Sequence, residues 1–186
     1  QPLDAYTLHA LRAAISWVPQ ESFLFSASIA DNIALARPGA TREEVERAAQ
    51  LADIHADILQ FPDGYQTHVG EKGITLSGGQ RQRVAIARAL LADNGLLLLD
   101  DALSAVDTGT ETRILQHLEE LRSKRPERSA IIASHRLSAV VNADLILVLR
   151  DGHVTETGSH DALMQRDGWY ASQWRYQQLE ASLDAI

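Results

Sequence analysis

The sequence has 186 residues, 45% of them hydrophobic, which is enough for one domain with a real core. A formal net charge of -8 argues against a nucleic-acid surface, which needs a basic stripe. The absence of cysteine excludes a disulfide framework and any thiolate metal site. No apolar run approaches the roughly 18–20 residues that span a bilayer, so these residues are not expected to cross a membrane. The chain opens on Gln1-Pro2-Leu3-Asp4, without an initiator methionine, a signal-peptide pattern or a helix start, and this predicts a cut through a longer protein.

In chain order, Ala14 to Gln20 reads as a short strand ended by Pro19. Thr41 with Glu44 three residues later predicts a capped helix, and Val45, Ala48, Ala52, Ala56 and Leu59 mark one apolar face along it. Phe61-Pro62-Asp63-Gly64 stops that helix. A second helix is expected from about Gly79 to Leu91, with Val84, Ala87 and Leu91 inward. The leucine run Leu96 to Leu99, ending in Asp100-Asp101, suits a buried strand; a helix follows from about Thr110 to Leu121, then a charged loop over residues 122–128. Ala130 to Ser134 reads as a second buried strand, ending in His135. A hairpin is predicted around Asp151-Gly152, and the tail from Asp161 is helical. Short strands alternating with helices predict an α/β fold with a largely parallel sheet and a helical insert at about residues 21–92.

Four places carry chemistry. In Leu76-Ser77-Gly78-Gly79-Gln80, two glycines opening a helix let backbone N–H groups approach a phosphate, and the helix dipole adds positive potential. A Gly-Gly turn before a helix is ordinary, and the pair alone would mean no more than that. A buried strand ending in Asp100-Asp101 suits Mg²⁺, although many core strands end in an aspartate that only starts a loop. His135 stands at a strand end, where an imidazole can contact a γ-phosphate, whereas the other six histidines read as structural or exposed. Gln20 follows a proline, and by itself says almost nothing; Phe23, Leu24 and Phe25 beyond it are either core or a docking surface.

The full string Leu76 to Gln80 followed by Arg81-Gln82-Arg83 resembles the signature motif of ATP-binding-cassette proteins. In family order, Val18-Pro19-Gln20 resembles the Q-loop and Val69-Gly70-Glu71-Lys72-Gly73 the X-loop of exporters. Leu96 to Asp101 resembles a Walker B strand, Ala102 to Asp107 the D-loop, and Ser134-His135-Arg136-Leu137-Ser138 the switch-histidine segment. The resemblance implies a P-loop NTPase-like core with a helical subdomain: residues 21–92 holding the Q-loop and signature, residues 93–160 holding Walker B, D-loop and switch histidine, and a C-terminal helix over 161–186. It implies an ATPase that powers export through a transmembrane domain, at the cytoplasmic face of the plasma (inner) membrane, with ATP and Mg²⁺ as ligands. It assigns Asp101 and His135 to catalysis and Gln20 and Asp100 to the metal. Gln20, Ser77, Gly78, Gly79, Gln80 and Asp107 fall to nucleotide binding, with the signature serving the partner cassette's pocket head to tail. A soluble cassette ATPase of DNA repair would bring coiled-coil heptads or basic surfaces, which this sequence lacks.

Two departures stand out. A phosphate-binding loop needs Lys followed by Ser or Thr, but Lys72 precedes Gly73 and Lys124 precedes Arg125, so the Walker A loop is absent from this sequence and is expected upstream of it. Most hydrolytic members carry Glu after the Walker B aspartate, where this chain has Asp101. One methylene fewer withdraws the carboxylate by roughly 1–1.5 Å, which, unless the backbone adjusts to restore contact, predicts slow hydrolysis at this site and a heterodimer with a stronger partner site, a sluggish homodimer being the other pairing open. The alternative is a module that serves only as a signature donor.

Overall fold

A computed structural model describes residues 2–70 and 75–183. The chain divides into two compact units, Gln1–Ala133 and Ser134–Ile186.

In the first unit, Thr7 caps α1 (Leu8–Ala14), which runs straight into β1 (Ile15–Val18). β1 ends where Pro19 removes a backbone donor. Next come β2 (Ala27–Ser28), α2 (Ile29–Ala34), α3 (Arg42–Leu51), α4 (His55–Gln60) and β3 (His68–Val69), which pairs antiparallel with β2. The unit continues through α5 (Gly78–Ala92), β4 (Leu96–Asp100), α6 (Thr108–Lys124) and β5 (Ser129–Ala133). The three long strands form a parallel sheet in the order β1-β4-β5, with Ile15 opposite Leu96 and Leu96 opposite Ser129. Helix α5 is the hub. Its Val84, Ile86, Ala87 and Leu91 are buried, and it packs on α2, α3 and β1, with alanines at 85, 87 and 89 keeping the surface small.

Three sequence expectations need correction here. The helix from Thr41 is capped as expected, with both halves of the capping box made by Thr41 and Glu44. It does not run on to Phe61. Asp53 takes a left-handed conformation, φ 54°, and splits it into α3 and α4. The break re-phases the second piece, so Ile54 and Ile58 are buried while Ala56 and Leu59 face solvent. β5, expected as a buried strand, is one of the two edge strands among the described residues, and Ile131 remains 54% exposed. Trp17, Leu98 and Ile131 lie in one row across the sheet, on a face largely open to solvent. Helix α6 runs on through Arg122 to Lys124, so only the end of the expected charged loop is irregular.

The second unit is a hairpin packed on helices. β6 (Ile146–Arg150) and β7 (His153–Gly158) pair antiparallel. The turn has φ 50° at Asp151 and 76° at Gly152, both positive as a two-residue type I′ turn requires. The helical tail is two helices, α7 (His160–Arg166) and α8 (Trp169–Leu183), separated by left-handed Asp167. Leu137, Ile146, Val148, Leu163 and Tyr170 form the core of this unit.

In the first unit, Asn32 fixes the segment after β1. It is buried; its Nδ2 donates to the carbonyls of Phe25 and Ser28, both at 3.0 Å, and its Oδ1 accepts the Phe25 N–H at 2.8 Å. Arg88 of α5 donates to the Asn32 carbonyl at 2.7 Å and to the Phe23 carbonyl at 3.2 Å. Leu24 thereby turns onto the core while Phe23 and Phe25 stay outside, 65% and 48% exposed, with their rings edge to face. Asn32→Ala strands the Phe25 N–H and should destabilise the protein by about 1–3 kcal/mol, read as a lower urea midpoint at unchanged slope.

Candidate functional site

The sheet brings three of the expected residues to one edge. Gln20 lies just past the end of β1, and Asp100 closes the neighbouring β4 with Asp101 next in the chain. The Gln20 Nε2 donates to Asp101 Oδ2 at 3.4 Å, a long bond but one that joins residues 81 apart in sequence. The Asp101 N–H donates to the Ala133 carbonyl at 2.9 Å, extending the β4–β5 ladder by one rung. Asp101 sits at φ 47°, a left-handed conformation that aspartate tolerates better than most residues because its short side chain bonds locally. Asp100 is exposed. No group of three or more His, Asp or Glu side chains able to hold a metal occurs among the described residues. A set of one or two carboxylates and an amide fits Mg²⁺, which usually completes its shell with water and substrate phosphates.

The loop after Asp101 is bound to α5. Gln82, buried within that helix, donates from Nε2 to Ser104 Oγ at 3.2 Å and accepts the Ala105 N–H at 3.0 Å. Ser104 Oγ in turn donates to the Asp101 carbonyl at 2.8 Å. The approach is so close that a Cβ on Gly79 would lie 2.7 Å from the Ala105 carbonyl oxygen. A Cβ on Gly78 would make only ordinary contact, 3.5 Å from the Ala105 methyl. Asp107 closes the loop as the N-cap of α6, accepting the Thr110 N–H at 3.0 Å; the Thr110 backbone and side chain hold its carboxyl below the usual range.

At the start of α5, Ser77 Oγ accepts the Gln80 N–H at 3.2 Å, while Gln80 Oε1 accepts the Ser77 N–H at 3.0 Å. This capping box satisfies the donors at 77 and 80 and leaves the N–H groups of Gly78 and Gly79, in the first turn, without an intrahelical carbonyl partner. Gln80 Nε2 donates to Asp57 Oδ1 at 3.1 Å. Asp57 also takes a two-pronged contact from Arg83, at 2.9 and 3.2 Å. Burial works to raise the Asp57 carboxyl, but the Arg83 and Gln80 hydrogen bonds and the Arg83 charge outweigh it and leave it below the usual range. The stabilisation from this pair is therefore complete at neutral pH and fades as acid protonates Asp57.

His135 belongs to the second unit, where its side chain is exposed. Its carbonyl accepts from Gln177 Nε2 at 2.8 Å, and Gln177 Oε1 accepts the Leu137 N–H at 2.9 Å, so α8 holds both sides of this turn. Of the expected X-loop, Glu71, Lys72 and Gly73 lie outside the described residues. Sequence reasoning missed Asp57, Gln82 and Gln177. The Gln82 position was visible in the signature string, but nothing in one sequence pairs it with residues 104 and 105.

The sequence matches the ABC transporter family over residues 1–104, and the chain belongs to that family. Its α/β fold is that of an ABC ATPase. The chain is 51% identical over 183 residues to the multidrug resistance-like ATP-binding protein MdlA of Escherichia coli (strain K12), covering 98% of this chain and 30% of that protein. To ATP-binding cassette sub-family B member 6 of Homo sapiens it is 49% identical over 178 residues, covering 96% of this chain and 21% of that protein. A solved structure of a bacterial Atm1-family ABC exporter with ATP bound superposes with a TM-score of 0.87 at 47% identity, covering 95% of this chain and 30% of that one. The chain thus spans less than a third of the length of these relatives.

The two glycines separate by substitution. Gly79→Ala forces the loop at Ala105 away and should cost about 1–3 kcal/mol. Gly78→Ala should change stability by less than about 0.5 kcal/mol. Parallel urea denaturation of the two variants makes the comparison.

Proposed function

We propose that this chain is the downstream part of an exporter's ATP-binding cassette, hydrolysing ATP in the intact protein to drive transport through an attached transmembrane domain. The observation that carries the reading is the meeting of Gln20 and Asp101 just past the carboxyl ends of adjacent parallel strands, the edge where open α/β sheets bind ligands. Asp100 and Gln20 are proposed to hold Mg²⁺, which when bound neutralises charge on the phosphate oxygens. Asp101 accepts a proton from the attacking water and orients it, and His135 donates to the γ-phosphate. Ser77, Gly78, Gly79 and Gln80 belong to the pocket of a second cassette. There the free N–H groups at 78 and 79 face its nucleotide, and Asp107 helps shape the loop between the two. Phosphoryl transfer needs chiefly positioning and charge neutralisation, which these groups supply. The phosphate-binding loop that cradles the β- and γ-phosphates is supplied by sequence outside these 186 residues. The exposed Phe23 and Phe25 offer an apolar contact for the transmembrane domain.

The pairing proposed is a heterodimer at the cytoplasmic face of the inner membrane. Asp101 makes a slow site in one pocket, while the intact signature of this chain serves the faster pocket of its partner. The test is ATP turnover of the purified full-length transporter. Ser77→Arg should reduce turnover by about a hundredfold while the fold survives, since only a surface cap is lost. Normal hydrolysis by that variant would sink the assignment. Asp101→Glu should raise turnover, by up to about tenfold, and Asp101→Asn should leave most of it in place. Complete loss in Asp101→Asn would mean that Asp101 is the working base of every active site and that the asymmetric pairing is wrong.

A further inference from the structure

Asp57 lies in a helix that no motif includes, yet it touches the signature turn. Both ends of the Gln80 amide are engaged: Oε1 closes the capping box on the Ser77 N–H, and Nε2 reaches Asp57. An amide held at one end only is free to rotate about its last torsion, which is broad and has little preference of its own. Asp57 supplies the second hold. The same carboxylate takes both Nη atoms of Arg83, one turn further along α5, so two side chains on one face of the helix converge on it. Arg83 is also tied to the Asp53 carbonyl. Asp53 is the left-handed residue that breaks α3 from α4, and its own carboxylate accepts from Arg113 of α6 at 2.8 and 3.0 Å. The Arg83 side chain is only 13% exposed, so the pair with Asp57 is shielded from water and salt more than a surface bridge.

We propose that Asp57 is a positioning residue for the signature: through Gln80 it fixes the turn at Ser77 to Gly79, and so aims the N–H groups that meet nucleotide in the partner's pocket. The proposal rests on the ATPase reading above. It makes α4, rather than the signature string alone, part of the nucleotide-binding apparatus. A helix carrying no ligand contact then sets how well the signature meets ATP.

The test is a double-mutant cycle in the full-length transporter, with Asp57→Ala, Gln80→Ala and the pair, reading kcat and KM for ATP. A role confined to folding would lower the fraction of active protein, and with it the apparent kcat, at unchanged KM. Positioning instead raises KM, by about tenfold in each single variant. Because Asp57 acts through Gln80, the double variant should be no worse than the single ones. Additive effects, or unchanged KM in Asp57→Ala, overturn the proposal. Asp57→Asn covers the case of a variant that does not fold, because it keeps the volume while removing the charge and one of the two acceptor oxygens. Amide hydrogen exchange at residues 77–80 should be faster in it, and unchanged exchange counts against the proposal. Ser77→Arg is the control that separates the two readings. If it abolishes turnover and the cycle is additive, only the positioning role fails; if wild-type protein does not hydrolyse ATP, both fail.

Discussion

Everything in the first unit depends on how closely the first turn of α5 approaches the loop that follows β4. At Gly79 a side chain would lie within 3 Å of the Ala105 oxygen, so the helix and the loop touch backbone to backbone. That contact leaves no room for slack between two chemically different places. On one side are the carboxylates of Asp100 and Asp101, and on the other the free N–H groups of Gly78 and Gly79. Gln82 fastens the contact from within the helix and Ser104 passes it on to the Asp101 carbonyl. A shift of α5 along its axis therefore moves the loop, and the loop is continuous with Asp101. Interiors packed to native density transmit such displacements rather than absorb them.

Neutral amides do most of the fastening. Asn32 holds Phe25 by both its N–H and its carbonyl, and Gln82 holds Ser104 and Ala105 in the same two-handed way. Gln80 bridges Ser77 and Asp57, and Gln177 bridges His135 and Leu137. A carboxylate can only accept and an ammonium can only donate, whereas an amide offers both to a loop whose backbone presents both. An amide also adds no net charge of its own to these loops, and at Asp57 the hydrogen bond from Gln80 helps hold the carboxyl below its usual range.

Much of the site was legible because each motif stands at the end of a secondary element, where the punctuation is strong. Pro19 ends β1 just before Gln20, and Ser77 with Gln80 is a capping box that can be read directly. The α3–α4 break was not legible. Alanines at 48, 52 and 56 fit a continuous apolar face, and alanine is small enough to be placed on either side of a helix. Only the backbone of Asp53 decides the matter. The contact of Asp57 with Gln80 and Arg83 follows from that break, so it was hidden as well. β5 misled for a different reason. Ser129-Ala130-Ile131-Ile132-Ala133 has the composition of a central strand, but composition does not say which strand of a sheet lies outermost.

Every non-glycine residue with positive φ among those described is an aspartate: 53, 93, 101, 151 and 167. Aspartate and asparagine share the short polar side chain that makes this conformation accessible. At Asp101 the turn and the charge therefore answer to separate requirements, one met by shape and the other by ionisation. Over evolutionary time the two can part company. A lineage could lose the carboxylate here by a single change to the amide and still keep the backbone course that leads into the loop and on to α5. A position built in this way can lose its charge while the scaffold around it persists, so the backbone and the carboxylate of one turn need not share a fate.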